Sequence, residues 1–203
     1  MNKLGKIFIA LGALLIITSL FIIIINNHED KTAEKNSSTI LKSLKQDIIK
    51  PTIEEDKTNT TETKVVNQNN KQTIKIQDND YIGIITIPTL NIELPIISTY
   101  DEEKLKIAPC VYYGKISKNL IICAHSYKSH FGYLSKLNQN DTIIITDING
   151  ENYIYEVLEI EVLNSDDIEK MIDTEFDLTL YTCTNDGTKR ITIRAKKVTN
   201  KNG

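Results

Sequence analysis

The chain has 203 residues, 25% of them charged, and its 27 acidic and 24 basic side chains give a formal net charge of -3. This balance creates no broad positive field, so we predict no nucleic-acid partner. The length fits one ordinary folded domain with additional segments.

The N-terminal segment has the composition of a membrane anchor. Residues 7–25 form an uncharged, almost wholly apolar run of nineteen residues, long enough as a helix to cross a hydrocarbon core of about 30 Å. Lys3 and Lys6 precede the run and acidic residues follow it, so the N-terminus is expected in the cytoplasm and the rest of the chain outside. A cleaved signal peptide is the alternative, but no small-x-small pattern closes the run. We therefore predict a single-pass membrane protein in which residues 1–30 are the cytoplasmic tip and anchor, and membrane lipid surrounds the apolar run.

Residues 31–79 are rich in Lys, Glu, Asn, Thr and Gln, and are predicted to be an extracytoplasmic linker because they cannot bury much apolar surface. Five apolar residues within this segment nevertheless fall near helical spacing, and Pro51 ends the pattern: Ile40, Leu41, Leu44, Ile48 and Ile49. The pattern indicates a short amphipathic helix that packs on the domain or on lipid, and a partly ordered spacer fits at least as well.

Residues 80–203 form the predicted folded domain, which we expect to be all-β. From Tyr81 onward, short β-branched runs alternate with turn residues, as is typical of a sandwich or barrel. Residues 147–150 predict a hairpin turn, since Asn-Gly tolerates positive φ angles, and residues 165–172 predict a short helix capped by Ser165 or Asp166. Strands are predicted near residues 82–87, 94–97, 120–124, 142–146, 153–163, 178–182 and 190–198.

The three cysteines differ in their surroundings. An odd number in an extracytoplasmic domain leaves at least one thiol unpaired. Cys183 ends the strand predicted at 178–182 and precedes a polar loop, so its sulfur is expected at the barrel rim, where a nucleophile needs to be accessible. Cys110 and Cys123 are interpreted as small apolar fillers or as a disulfide pair.

A thiol becomes a good nucleophile at neutral pH when a cation or a histidine lies close by. His125 follows the strand predicted at 120–124, at the kind of strand-to-loop junction where scaffolds often display functional side chains. His130 lies in the same loop, and His28 lies in the juxtamembrane segment, where it is interpreted as solvated. His125 is therefore the predicted partner of Cys183.

Arg190 begins the strand that follows Cys183, and a short loop separates the two residues. A hairpin would bring the guanidinium beside the sulfur, where it could hold a substrate carbonyl and stabilise an oxyanion. Arg194 is the less favoured candidate, because it lies about 13 Å further along the strand. Acidic residues in the loops, such as Asp141, are interpreted as solvated turn residues, so no metal and no cofactor are predicted.

Three segments resemble the sortase family. Residues 179–183 (TLYTC) resemble the TLxTC signature of sortases, and Arg190 heads the next strand (RITIRAK) as the sortase arginine does. Residues 120–125 (LIICAH) resemble the strand that delivers the sortase histidine, with Ala124 in place of the usual glycine. Residues 81–96 resemble the first two strands of the sortase barrel, so the likeness covers roughly residues 80–198.

The resemblance implies an eight-stranded β-barrel with one or two short helices after a transmembrane helix. It also implies Cys183 as nucleophile, His125 as general acid or base and Arg190 as substrate and oxyanion clamp. Thr182, Ala124 and Ser126, which adjoin Cys183 and His125, are expected to contact substrate. The implied reaction cleaves an LPxTG-like sorting signal after Thr through a thioester and passes the acyl group to an amine. The partners would be surface proteins that carry the signal and a lipid-linked peptidoglycan precursor.

Class D is the favoured subclass, with class A or class B as the alternatives. The connection between Leu163 and Leu178 holds one short helix, whereas class B sortases carry a longer helical insertion there. No Asp-Pro-aromatic lid motif occurs in residues 51–80, which argues against class C. Two other functions stay open: a cysteine transpeptidase that acts on peptidoglycan stem peptides, and a membrane-tethered β-barrel binding module in which Cys183 is buried and inert.

Overall fold

The computed structural model describes residues 3–49, 72–116, 118–172 and 175–198. The helices in these ranges are α1 (Lys3–Ile49), α2 (Glu102–Leu105) and α3 (Ile168–Ile172), and single 3-10 turns cover Pro88–Leu90 and Leu134–Lys136. The strands are β1 (Ile74–Ile76), β2 (Asn79–Ile87), β3 (Ile92–Ile97), β4 (Cys110–Lys115), β5 (Lys118–Cys123), β6 (Thr142–Asp147), β7 (Asn152–Asn164), β8 (Leu178–Cys183) and β9 (Lys189–Lys197).

The strands form one sheet that closes on itself. Their order is β1-β2-β3-β4-β5-β8-β9-β7-β6, and β6 pairs back onto β2, so that eight strands make a closed barrel and β1 extends one edge of β2. The β3–β4 and β5–β8 pairs are parallel, and the other pairs are antiparallel. The predicted all-β, eight-stranded barrel with few helices is confirmed.

Strand β2 can pair on both sides because it bends at Gly83. The register of β2 with β3 shifts between Tyr81 and Gly83, and Gly83 has a φ of +152°. A Cβ atom at this position would collide with the backbone of Thr146 on β6. Glycine is therefore required where β6 closes the barrel.

Two strands, β1 and β4, were not predicted from the sequence. β1 is three residues long and follows a polar segment without turn signals, so periodicity carries little information there. β4 contains Gly114 at a φ of +77° and two register irregularities against β5, which break its alternation. The predicted turn at residues 147–150 does join β6 to β7. The helix predicted at residues 165–172 begins only at Ile168, because the residues before it form a turn closed by the Asp167 carboxylate.

Apolar side chains fill the barrel and also cover part of its outer surface. The interior cluster is built from inward-facing residues such as Ile85, Ile122, Leu180 and Ile193. A second cluster lies on the outside of the barrel, where side chains of α1 pack against β1, β2, β3 and neighbouring loops. The fold thus has one core inside the barrel, another between the barrel and α1, and a small third cluster that joins Met171 of α3 to Ile121 and Leu163.

Helix α1 has two parts with different surroundings. The large apolar side chains of residues 7–25 are exposed, and the helix is long and apolar enough to cross a membrane, which makes it a candidate span. Further along the same helix, Ala33, Ser37, Ile40 and Leu44 are buried against the barrel. The amphipathic pattern noted in the sequence therefore marks a helix that packs on the domain. Pro51 and the rest of the linker up to residue 71 lie outside the described residues.

Candidate active site

Three neighbouring strands, β5, β8 and β9, carry the predicted catalytic residues. Cys183 is paired with Arg190 across β8 and β9. Cys123 is paired with Tyr181 across β5 and β8, and the amide of Ala124 donates a hydrogen bond to the Tyr181 carbonyl at 3.2 Å. The pairing therefore extends one residue past the end of β5, to Ala124, and His125 is the next residue along the chain.

Strand alternation decides which way these residues face. Leu178 and Leu180 point into the barrel core, so Cys183, an odd number of residues away, points outward. Ala124 also belongs to the interior cluster, and His125 follows it. Cys183 and Arg190 thus face the outside of the barrel as cross-strand partners, and His125 follows the neighbouring strand, so that the three residues form a row across three strand ends.

His125 is half-buried, and burial lowers the pKa of its imidazole, with the Glu29 carboxylate of α1 opposing part of the shift. The ring is consequently neutral at neutral pH. Its Nε2 atom has no hydrogen-bond partner within the described ranges. A neutral imidazole with an uncommitted, buried nitrogen can accept or deliver a proton. Cys183 is also half-buried.

Arg190 keeps an unneutralised charge beside Cys183. Its Nη1 donates to the carbonyls of Gly187 and Lys189, each at 3.1 Å, and no carboxylate of the described chain pairs with it. The loop behind it is organised by Asp186, which accepts hydrogen bonds from the Thr184 and Thr188 hydroxyls that lower its pKa to about 2. Nε and Nη2 of the guanidinium stay available for an oxyanion or a substrate carbonyl.

The residues predicted to contact substrate differ in exposure. Ser126 is exposed next to His125, whereas Ala124 and Thr182 retain only 4% and 1% of their surface. The Thr182 hydroxyl donates to the Ala124 carbonyl at 2.8 Å. The side chains of Ala124 and Thr182 are closed off from any ligand, and their structural role is to join β5 to β8 directly behind the row.

The other two cysteines are free thiols in buried positions. Cys110 and Cys123 face each other across β4 and β5, and burial raises the pKa of each thiol to about 12. Neither thiol ionises near neutral pH, so they behave as small apolar residues, one of the two interpretations drawn from the sequence.

Arg194 is also outward-facing but is fully engaged. It is 3% exposed, its Nε pairs with Glu161 at 2.7 Å, and its Nη1 donates to the Thr179 hydroxyl at 3.0 Å. Nη2 and Nη1 also donate to the carbonyls of Lys170 and Met171 in α3. Arg194 thus ties α3 to the sheet, which agrees with its lower rank as a catalytic candidate.

A groove adjoins Arg190 on the outer face of the barrel. Its walls are Tyr112, Tyr181, Arg190 and the segment 164–171 that leads into α3. The rings of Tyr112 and Tyr181 meet edge to face with centroids 5.6 Å apart. Tyr181 lies two residues before Cys183, so strand parity alone places it on the same face, a signal that the sequence analysis did not use.

A closed barrel that aligns a thiol, an imidazole and a guanidinium on adjacent strand ends provides the groups that cysteine-dependent acyl transfer requires. Comparisons with known proteins agree. The family model described as "Sortase domain" matches residues 85–198. This match spans more than half of the chain, so the chain belongs to the sortase family, whose members are cysteine transpeptidases.

Solved structures of sortases share the fold. Sortase A from Corynebacterium diphtheriae is 29% identical, with a TM-score of 0.54 over 62% of this chain and 64% of that one. Sortase C1 from Streptococcus agalactiae is also 29% identical, with a TM-score of 0.54 over 62% and 72%. A Clostridium perfringens sortase D5 transpeptidase is 22% identical, with a TM-score of 0.59 over 81% and 99%. The chain thus spans slightly under two thirds of the diphtherial enzyme, and no curated protein matches its sequence.

Proposed function

We propose that this sortase cleaves an LPxTG-like sorting signal after its Thr and joins the new carboxyl terminus to an amine of a cell-wall precursor. The cross-strand row of His125, Cys183 and Arg190 carries the proposal. Strand register holds Cys183 opposite Arg190, and His125 begins the loop that follows β5.

In the first half of the reaction, the neutral His125 imidazole takes up the proton of the Cys183 thiol as the sulfur attacks the carbonyl carbon of the signal's Thr. Arg190 stabilises the resulting oxyanion with its free guanidinium donors, an effect typically worth about 3 kcal/mol. The carbon–nitrogen bond then breaks, and His125 gives a proton to the leaving amine. A thioester on Cys183 and a free amine on the departing peptide result.

The second half runs in the opposite direction. An incoming amine attacks the thioester carbonyl, and His125 takes up the amine's surplus proton. The carbon–sulfur bond breaks, and His125 passes this proton to the departing sulfur, which leaves a new amide and restores the thiol of Cys183. The neutral imidazole that burial favours suits this role, because it can accept a proton at neutral pH.

The groove beside Arg190 adjoins the proposed site. Tyr112 and Tyr181 give it an aromatic wall, and Arg190 also lines it. We assign the chain to class D, with the N-terminus cytoplasmic and the barrel outside. The short α3 connection and the match to 99% of the Clostridium perfringens sortase D5 structure support the class, and the flanking charges of residues 7–25 support the orientation.

The test uses the full chain in detergent micelles with a fluorogenic LPxTG-type peptide and an amine acceptor. Cys183→Ala and His125→Ala are expected to lose nearly all cleavage and transfer, whereas Cys110→Ala, which removes a buried, un-ionised thiol, keeps them. Cleavage that survives Cys183→Ala would refute the nucleophile assignment. Arg190→Lys is expected to lose most activity, and a nearly active lysine variant would contradict a forked clamp.

The two other functions give different results in the same assay. A transpeptidase for stem peptides would leave the sorting-signal peptide intact and act on a stem peptide, still through Cys183. A binding module would retain the peptide without cleaving it, and Cys183→Ala would not change that retention.

A further inference from the structure

The loop that carries His125 is held from outside the barrel by α1. Asp30 Oδ1 accepts hydrogen bonds from the Ser129 amide at 3.0 Å and from the Ser129 hydroxyl at 2.6 Å. Glu29 accepts a hydrogen bond from the Tyr127 hydroxyl at 3.3 Å. Both acidic residues follow the apolar part of α1, so the segment just after the apolar run contacts the loop that carries His125.

A third contact lies deeper in the same interface. The Ser37 hydroxyl donates to the Ile107 carbonyl at 2.5 Å and lies 3.1 Å from Nε2 of His130. Because the hydroxyl has a single hydrogen, which it gives to Ile107, Nε2 of His130 must donate to Ser37. Ser37 and His130 are both buried, at 2% and 0% exposure, so this chain of hydrogen bonds fixes the far end of the loop to the helix.

Within the loop, the backbone folds back on itself. The amides of His130 and Gly132 both donate to the Tyr127 carbonyl, at 3.0 and 2.9 Å, and the Phe131 amide donates to the His125 carbonyl at 3.2 Å. The loop therefore moves as one unit with His125. A constraint applied by α1 to one end of the loop reaches the other end.

Tyr127 connects these contacts to the imidazole. Its ring stacks on the His125 ring, with centroids 4.8 Å apart and planes 37° apart, and its other neighbour is the His130 ring at 5.6 Å. No carboxylate of the described residues hydrogen-bonds to His125, so the usual way of orienting a catalytic imidazole is missing here. The face of the Tyr127 ring contacts the imidazole instead.

We propose that the membrane-proximal part of α1, residues 29–37, is a positioning element for His125 that acts through the 125–132 loop, with Tyr127 as the positioning residue that touches the imidazole. The inference rests on the proposed function of His125. Glu29 lies about 6 Å along the helix from Ile25, the last residue of the apolar run, so the catalytic loop is also held close to the membrane surface.

The experiment compares Tyr127→Phe, Tyr127→Leu and Asp30→Ala with the wild type, all as full chains in lipid nanodiscs. Tyr127→Phe keeps the ring on His125 and is expected to retain most of kcat. Tyr127→Leu removes the aromatic face and is expected to lower kcat about 10- to 100-fold, the usual consequence of a misplaced catalytic group, with KM changed less than about twofold. Asp30→Ala, which releases Ser129 without touching the core, lowers kcat in the same direction.

The pKa of His125 is a second measurement, and general destabilisation of the fold would not change it. Only three histidines occur, so their ring resonances can be assigned by substitution. His125 faces Glu29 from α1, Glu102 from α2 and Lys106 just beyond α2, but burial is the largest influence on its pKa. Tyr127→Leu uncovers the His125 ring, so the pKa of His125 should rise. The part of the kcat/KM pH profile that reports this titration should move to higher pH by the same amount, whereas Tyr127→Phe should change neither.

Lys45→Ala is the matched control, because it removes a contact of α1 with Glu93 and involves no residue of the loop. It is expected to leave kcat and the His125 titration unchanged. Wild-type kcat in both Tyr127→Leu and Asp30→Ala would overturn the proposal, and a kcat above wild type would show instead that α1 restrains the enzyme. If His125→Ala itself stays active, the proposed role of His125 fails. If Tyr127→Leu does not fold, Asp30→Ala decides the outcome.

Discussion

Replacing His130 with glutamine tests the energetics of the interface between α1 and the barrel. Burial lowers the pKa of His130 from 6.5 to about 4, and the nearby His125 acts in the same direction while Asp30 opposes it. The unfolded chain therefore binds a proton more readily than the folded one. The stability linked to His130 is complete above pH 6.5 and is lost as the pH falls toward 4.

The size of the effect follows from the difference between the two pKa values. A change from 6.5 to about 4 corresponds to about 3 kcal/mol of folding free energy, of which about 2 kcal/mol is already lost at pH 5. Glutamine stays neutral over this range and can still donate its amide hydrogen toward Ser37. The variant should therefore retain the interface without its proton linkage.

The measurement is guanidinium unfolding of the full chain in detergent at pH 7.5 and pH 5, followed by the near-ultraviolet circular dichroism of the tyrosines. The wild type should lose about 2 kcal/mol more than His130→Gln between the two pH values. His125 is present in both proteins, so its own titration cancels in this comparison apart from its coupling to His130. Equal pH dependence in the two proteins would refute the reasoning and would mean that His130 is solvated.

Two further predictions concern stability and loop geometry. Arg194→Met leaves Glu161 unpaired and α3 carbonyls without donors, so it should lower the free energy of unfolding by about 3 kcal/mol. In urea unfolding this loss should appear while kcat per folded molecule stays near wild type; a lower kcat at unchanged stability would contradict a structural role. Gly132→Ala would place a Cβ atom 2.6 Å from the Ser126 carbonyl oxygen, so it should cost about 1–3 kcal/mol and most of the turnover. A fully active, equally stable alanine variant would show that the loop is not packed as described.

The strands with regular alternation were predictable, because a half-buried strand repeats every two residues whatever its partners are. β7 and β8 were predicted nearly to their ends, whereas the three-residue β1 and the irregular β4 were not. The position of Tyr181 beside Cys183 was also within reach of the sequence through strand parity. Parity also places Thr182 on the apolar face of Leu178 and Leu180, so its burial was within reach of the sequence as well.

The sequence predicted the apolar face of α1 but not the surface against which it packs. The spacing of Ile40 and Leu44 indicates one apolar helix face, but the same spacing serves contact with lipid and contact with protein. The surface that receives this face is assembled from β1, β2, β3 and neighbouring loops, which are remote in sequence. Ser37 and Tyr127 carry no motif, and their contacts exist only because the helix crosses the histidine loop.

The sequence by itself determined the apolar N-terminal run, the all-β domain and the chemical types available to a site, because hydrophobic length, strand periodicity and side-chain chemistry are local properties. The tertiary structure alone decided which groups meet. An antiparallel register between β8 and β9 sets Cys183 opposite Arg190, and a parallel register between β5 and β8 ends two residues before His125. Register depends on hydrogen bonds between strands that are distant in the chain, and so does the contact through which α1 reaches the histidine loop.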